Sequence, residues 1–221
     1  MKKLFIVANW KSNLTSLEAG EWFSQVKSLE FKVQSDGKEI IICPPFTLLS
    51  ELKSLISQGQ LPVKLGAQNI SPFHEGAYTG EVNGREIKEF ADYVVIGHSE
   101  RRQNFGENDE MLFRKVALAK DNGLAPIFCV GGKETKVPQG IEIVAYEPID
   151  AIGTGHPDIP ENAEDAATFF KDNHKVQFVL YGGSVTGDNV NSFTRMPHID
   201  GVLVGKASLD IGEFLQIIKN A

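Results

Sequence analysis

Cysteine is nearly absent. Cys43 and Cys129 are the only two in 221 residues, and each closes an apolar run. Two thiols cannot build a disulfide framework, and no Cys-x-x-Cys pair or His/Cys cluster stands at metal-ligand spacing. Structural zinc and a stapled scaffold are therefore excluded, and a reducing compartment, the cytoplasm, is expected. Long hydrophobic runs are missing too: stretches such as Val94-Val95-Ile96 fall far short of the roughly 18–20 residues that span a bilayer. The opening Met1-Lys2-Lys3-Leu4-Phe5-Ile6-Val7-Ala8-Asn9 is too short in its apolar part for a signal peptide, and Asn9-Trp10-Lys11 interrupts it. Positive charge is scarce as well. With 22 basic and 29 acidic residues the net charge is −7, which leaves no basic face for nucleic acid or a membrane surface.

What remains is the profile of a globular chain with a substantial core: 42% apolar and 23% charged residues, with 21 Gly and 10 Pro for turns. Eight short β-branched runs recur, at residues 4–8, 39–43, 63–66, 93–96, 126–130, 141–145, 176–181 and 201–204. Their apolar character is nearly continuous, as for parallel strands buried on both faces. Helical patterns lie between them. Thr15-Ser16-Leu17-Glu18 is a capping box ahead of Trp22, Val26 and Leu29, and a second stripe runs through Leu48, Leu52, Leu55 and Ile56. Leu112, Val116 and Ala119 make a third stripe, and segments 161–170 and 209–218 a fourth and fifth. No linker-like stretch divides the series. The expected architecture is α/β, one (β/α)₈ barrel domain over residues 1–221, preferred to an open doubly wound sheet because no Gly-x-Gly-x-x-Gly follows the first strand.

One unit departs from the alternation. Between Cys129 and Glu147 the segment 131–140 is Gly-rich at both ends, contains Pro138 and has no apolar stripe, so a loop replaces the helix between strands five and six. At 221 residues the chain is also short for a barrel of about 250, and this unit accounts for much of the difference.

Barrels of this kind carry their chemistry at the carboxyl ends of the strands. Strand one there delivers Asn9-Trp10-Lys11, strand three Gln68-Asn69, and strand four Gly97-His98-Ser99-Glu100. Strand six delivers Tyr146-Glu147-Pro148, strand seven Gly182-Gly183-Ser184 and strand eight Gly205-Lys206-Ala207-Ser208. A lysine, a histidine and a carboxylate thus converge from three strands. The two Gly-rich turns are tight turns or an anion cradle. Their adjacency on the last two strands, where barrels commonly hold phosphate, favours the cradle.

Taken in order, Ala8-Asn9-Trp10-Lys11-Ser12-Asn13, Ile96-Gly97-His98-Ser99-Glu100-Arg101-Arg102, the run Ala145-Tyr146-Glu147-Pro148 through Gly155, and Tyr181-Gly182-Gly183-Ser184-Val185 resemble the signature stretches of the triosephosphate isomerase family. Ala67-Gln68-Asn69, Gly76-Ala77-Tyr78-Thr79-Gly80-Glu81 and Leu203-Val204-Gly205-Lys206-Ala207-Ser208-Leu209 are similar to it too, so the likeness extends from residue 4 to about 210. It implies a TIM barrel and proton transfer between adjacent carbons of dihydroxyacetone phosphate and glyceraldehyde 3-phosphate, through an enediolate and without cofactor or metal.

By the same resemblance Glu147 is the base, made more basic when Ile152 packs over it and strips off water. His98 is a neutral electrophile at the start of a helix. Lys11 supplies fixed positive charge, Asn9 orients it, and Glu100 pairs with it. Pro148 to Gly155 is a closing lid whose Gly153 N–H binds phosphate together with Ser184, Gly205 and Lys206. Loop 68–82, with Thr79 at its tip, enters the neighbouring subunit of a homodimer; the alternative is a self-packed Ω-loop.

Three departures from the family pattern stand out. Asp150 replaces the lid's usual Trp and Gly132 the Glu it bonds, so a different latch is expected, from Asp150 to Lys133 or Lys136. The missing helix calls for neighbouring helices or the loop 131–140 to cover strands five and six. Lys206 adds a cation where Gly is usual. Two other readings compete: another phosphate-binding barrel isomerase or aldolase, or a non-catalytic relative. The first is disfavoured by Glu147 where a Schiff-base aldolase needs lysine, and the second by the presence of Lys11, His98 and Glu147 together.

Overall fold

A computed structural model of the chain describes residues 2–26, 37–148 and 157–221. Strand β1 (Leu4–Asn9) leads to α1 (Ser16–Val26), then β2 (Lys38–Cys43), a 3₁₀ turn at Phe46–Leu48 and α2 (Leu49–Gly59). Next come β3 (Val63–Ala67), α3 (Gly84–Lys88), β4 (Tyr93–Ile96), the consecutive helices α4 (Ser99–Phe105) and α5 (Asp109–Asp121), and β5 (Ala125–Val130). The chain finishes with β6 (Ile143–Tyr146), α6 (Pro160–His174), β7 (Phe178–Tyr181), α7 (Val190–Thr194), β8 (Gly201–Val204), a 3₁₀ turn at Lys206–Leu209 and α8 (Ile211–Asn220). All eight strands pair in parallel in sequence order, and β8 returns to β1 to close the barrel.

Local chemistry sets the helix starts. The Thr15 N–H donates to the Glu18 carboxylate at 2.7 Å and the Glu18 N–H to Thr15 Oγ1 at 3.5 Å, the reciprocal box expected before α1. Asn83, Asn108 and Asp210 cap α3, α5 and α8 through their side-chain oxygens, and Pro160 opens α6. The short helices α3 and α7 are findings beyond the sequence reading, for five residues cannot show a helical stripe.

The continuous apolar character of the strands has a two-layer cause. Phe5, Val7, Ile41, Cys43, Ile127, Cys129 and Leu203 fill the barrel, whereas Ile6, Ala8, Ile40, Ile42, Phe128 and Val144 point out against the helices. Closure itself needs one glycine. Gly201 pairs with Phe5 at φ +151°, and a Cβ there would lie 2.0 Å from the Phe5 carbonyl oxygen, far inside van der Waals contact, so no other residue fits the β8–β1 seam.

Between β5 and β6 there is no helix. The connection is strapped sideways: Lys133 pairs with Asp165 of α6 and lies over the Phe169 ring, Lys136 meets Asp109 of α5 at 3.6 Å, and the Lys120 ammonium donates to the Gly140 carbonyl at 2.6 Å. Val137 and Ile141 pack inward, and the Arg102 guanidinium lies 5.5 Å from the centre of the Phe128 ring. Phe128 and Val144 are consequently buried, as the sequence required. At the strand starts a cleft of about 460 Å³ opens, lined by Lys120, Leu124, Pro126, Glu142 and Ile143 among others.

Candidate active site

The strand ends at the carboxyl mouth of the barrel surround a cavity of about 440 Å³. Asn9, Lys11, His98, Glu147, Ser184, Gly205 and Lys206 all line it, and Glu100 stands behind Lys11. Thr79 does not line it. Gly153, with Ile152, Gly155 and Asp150, lies outside the described residues.

Asn9 is the last residue of β1, and its side chain turns back so that Oδ1 accepts the Lys11 N–H at 3.1 Å. Lys11 adopts φ +52°, a left-handed conformation that costs a non-glycine residue on the order of 1–3 kcal/mol. Its ammonium then reaches Glu100 Oε1 at 2.6 Å. The pair is about a third exposed, so it adds little to stability; its effect is to aim the cation. Gly205 lies alongside, for a Cβ there would sit 3.5 Å from Lys11 Cε.

His98 caps α4 with its ring. The Glu100 N–H donates to Nδ1 at 3.2 Å, which makes Nδ1 an acceptor and leaves the ring proton on Nε2. Nε2 is 3.0 Å from Glu147 Oε1, and the other oxygen of Glu147 accepts the Ser99 N–H at 3.0 Å. A buried carboxylate is thereby held by one imidazole N–H and one backbone N–H at a helix start. Cys129 lies beside it; burial and the Glu147 charge push its thiol well above the ordinary range, and burial pushes the Cys43 thiol up to about 12. Neither cysteine is a nucleophile at neutral pH.

On the opposite wall Ser184 is held at φ +34°, with its carbonyl accepting from Asn189 Nδ2 at 3.0 Å. Exposed Lys206 opens the 3₁₀ turn after Gly205 on the cavity rim, so its side chain stands beside the cavity and not on the outer wall. Two residues that bear on the site escaped the sequence reading. Gly182 counted only as part of a cradle, yet a Cβ there would come within 2.9 Å of Glu147 Cγ, so its smallness makes room for the carboxylate. Tyr181, read as a strand residue, accepts the Asp158 N–H on its hydroxyl at 2.8 Å, just before α6. Only proximity in space reveals either.

Both lysines proposed for a latch have other partners among the described residues, Lys133 with Asp165 and Lys136 with Asp109. The Glu134 carboxylate occupies the space where a side chain on Gly132 would begin, so an acid reaches that place from two residues further on.

A parallel eight-stranded barrel with a lysine, a histidine and a buried carboxylate around one cavity at its carboxyl mouth has the construction of a (β/α)₈ barrel enzyme. The chain belongs to the triosephosphate isomerase family: the model of that family matches residues 4–221. It is 38% identical to the triosephosphate isomerase of Aquifex aeolicus over 249 aligned positions, covering 99% of each chain. Similarity to the triosephosphate isomerases of Dictyoglomus turgidum (38%, all of both chains) and Hahella chejuensis (37%, all of this chain and 99% of the other) is of the same order. Each alignment is longer than the chain itself, so these relatives carry positions for which it has no residue.

Proposed function

We propose that this chain interconverts dihydroxyacetone phosphate and D-glyceraldehyde 3-phosphate, with Glu147 as base, His98 as electrophile and Lys11 as fixed positive charge. The observation that carries the reading is the Glu100 N–H on His98 Nδ1, because it commits Nε2–H to point into the cavity. In this structure that N–H meets Glu147. A substrate carbonyl oxygen takes the same donor, and the carboxylate so released turns toward the substrate carbons. Glu147 removes a proton from C1 of the ketone. The electron pair moves into a C1–C2 double bond, and the carbonyl oxygen becomes the enediolate oxyanion, facing Nε2–H and the Lys11 ammonium. A proton passes between the two oxygens through His98, and Glu147 returns its proton to C2. No electrons leave the substrate, so no redox cofactor is needed.

The phosphate is assigned to Ser184, Gly205, Lys206 and, from the sequence, Gly153, with Asn9 orienting the reacting oxygen. Loop 68–82 is assigned to a homodimer contact through Thr79. Its support is that residues 73–81 are all exposed, with Phe73 and Tyr78 stacked at 4.3 Å on the outside while the Ser71 N–H and Val82 carbonyl close the root at 2.9 Å. The cytoplasm is its assigned compartment. A coupled isomerase assay on the purified protein tests the reading: wild type turns over dihydroxyacetone phosphate, and Glu147→Gln lowers kcat by about 10²–10⁴-fold while keeping wild-type circular dichroism. An inactive wild type overturns it.

A further inference from the structure

Lys11 holds a backbone conformation that its own chemistry disfavours, so something outside the residue has to maintain it. One restraint is local, from Asn9 Oδ1 to the Lys11 N–H. The other comes from across the mouth of the barrel. Gln68, the first residue past β3, sends its side-chain amide between β1 and β2, and Nε2 donates to the Lys11 carbonyl at 2.8 Å and to the Cys43 carbonyl at 2.9 Å. Both hydrogens of one NH₂ group are thus spent on the peptide that follows β1 and on the end of β2. The Trp10 N–H donates to that same Cys43 carbonyl at 3.1 Å, so the Asn9–Trp10 peptide directly, and the Lys11–Ser12 peptide through the Gln68 amide, are tied to one carbonyl.

We infer that Gln68 is a positioning residue for the reaction: its amide clamps Lys11 in the left-handed conformation that carries the ammonium to Glu100 and into the cavity. The inference rests on the proposed function and deepens it. Without the amide, the Lys11 carbonyl is free to rotate, the residue relaxes toward φ below zero, and the ammonium leaves its place beside His98 and Gly205. The clamp also joins the catalytic lysine to the root of loop 68–82, the segment assigned to the subunit contact. The strain at Lys11 is therefore maintained from the base of that loop as well as from β1.

Gln68→Met keeps the length and shape of the side chain and removes both donors. Gln68→Asn keeps the amide but is one methylene short of the two carbonyls. Each is expected to lower kcat/KM by about 10- to 100-fold, as for a charge displaced by about an ångström, with subunit mass and melting temperature at wild-type values. The discriminating measurement repeats Gln68→Met in a Lys11→Ala background. If Gln68 acts through Lys11, its effect there shrinks to less than about twofold. An equal loss in both backgrounds, or wild-type kcat/KM in folded Gln68→Met and Gln68→Asn, overturns the inference. Should Gln68→Met not fold, Gln68→Asn and its Lys11→Ala double variant decide in the same way. An inactive wild type overturns the functional reading beneath it; an active wild type indifferent to Gln68 overturns only the clamp.

Discussion

The mouth of the barrel at β1 and β4 and the connection between β5 and β6 sit on one scaffold and are built by opposite means. At the mouth, polar residues are held by hydrogen bonds from one to the next: the Lys11 backbone by Asn9 and Gln68 and its ammonium by Glu100, His98 by the Glu100 N–H, Glu147 by His98 and Ser99. In the β5–β6 connection a helix is dispensed with, and exposed lysines tie a loop to α5 and α6. The difference shows what a barrel of this kind requires. Closure of the strand ring and burial of its outer face are needed, but a complete ring of helices is not, and the site depends on the first without depending on the second.

The largest effect that tests this separation is on the β5–β6 side. Phe128 is fully buried with no helix of its own unit above it, so Phe128→Ala removes a ring from the outer apolar layer at a point where the Arg102 guanidinium lies 5.5 Å from the ring centre. The expected cost is about 3–5 kcal/mol, read as a lower urea midpoint at fixed protein concentration. Arg102 stays tied to the Gly97 and Cys129 carbonyls at 2.8 and 3.1 Å, so kcat of the folded fraction changes by less than about threefold. A kcat that falls along with stability would show that the two regions are not separable.

Gly182→Ala reverses the pattern at a smaller scale. The new Cβ would lie 2.9 Å from Glu147 Cγ and 3.2 Å from the Tyr146 carbonyl, so the carboxylate has to shift. A fall in kcat of about 10- to 100-fold is expected, with an overpacking cost of about 1–3 kcal/mol. Steady-state kinetics with a paired denaturation curve measures both. Unchanged kcat would mean that the carboxylate is placed by His98 and Ser99 alone.

How much of this was legible in the sequence follows from the range of each interaction. The strands were, because β-branched runs declare themselves over four to six residues, and the bounds of all eight lie within two residues of the expected ones. The residues gathered at the mouth were, because strand ends and a chain-long resemblance fix their order. The loop replacing a helix was, from Gly131-Gly132, Pro138 and the absence of a stripe. Gly182 beside Glu147 and Gln68 on the Lys11 carbonyl were not. Neither contact leaves a periodic trace, since each joins residues that meet only after the barrel closes.

The smallest effect is the most pointed test, because it falls on residues for which the sequence pattern suggests another role. Lys133 and Lys136 were candidates for a latch to Asp150; the structure pairs them with Asp165 and Asp109, on the helices that flank the loop. As exposed ion pairs these ties are each worth about 0.2–1 kcal/mol, and less at high salt. Lys133→Ala also removes a cation 5.6 Å from the centre of the Phe169 ring, so it should cost the more of the two, while Lys136→Ala gives a shift near the limit of detection. If the loop serves only as cover, the double variant loses no more than the sum of the singles and keeps kcat within about twofold of wild type. A larger drop in kcat, confined to Lys133→Ala and insensitive to salt, would mean that this lysine acts on the segment after Glu147 as well as on α6, and would join the two regions that the structure keeps apart.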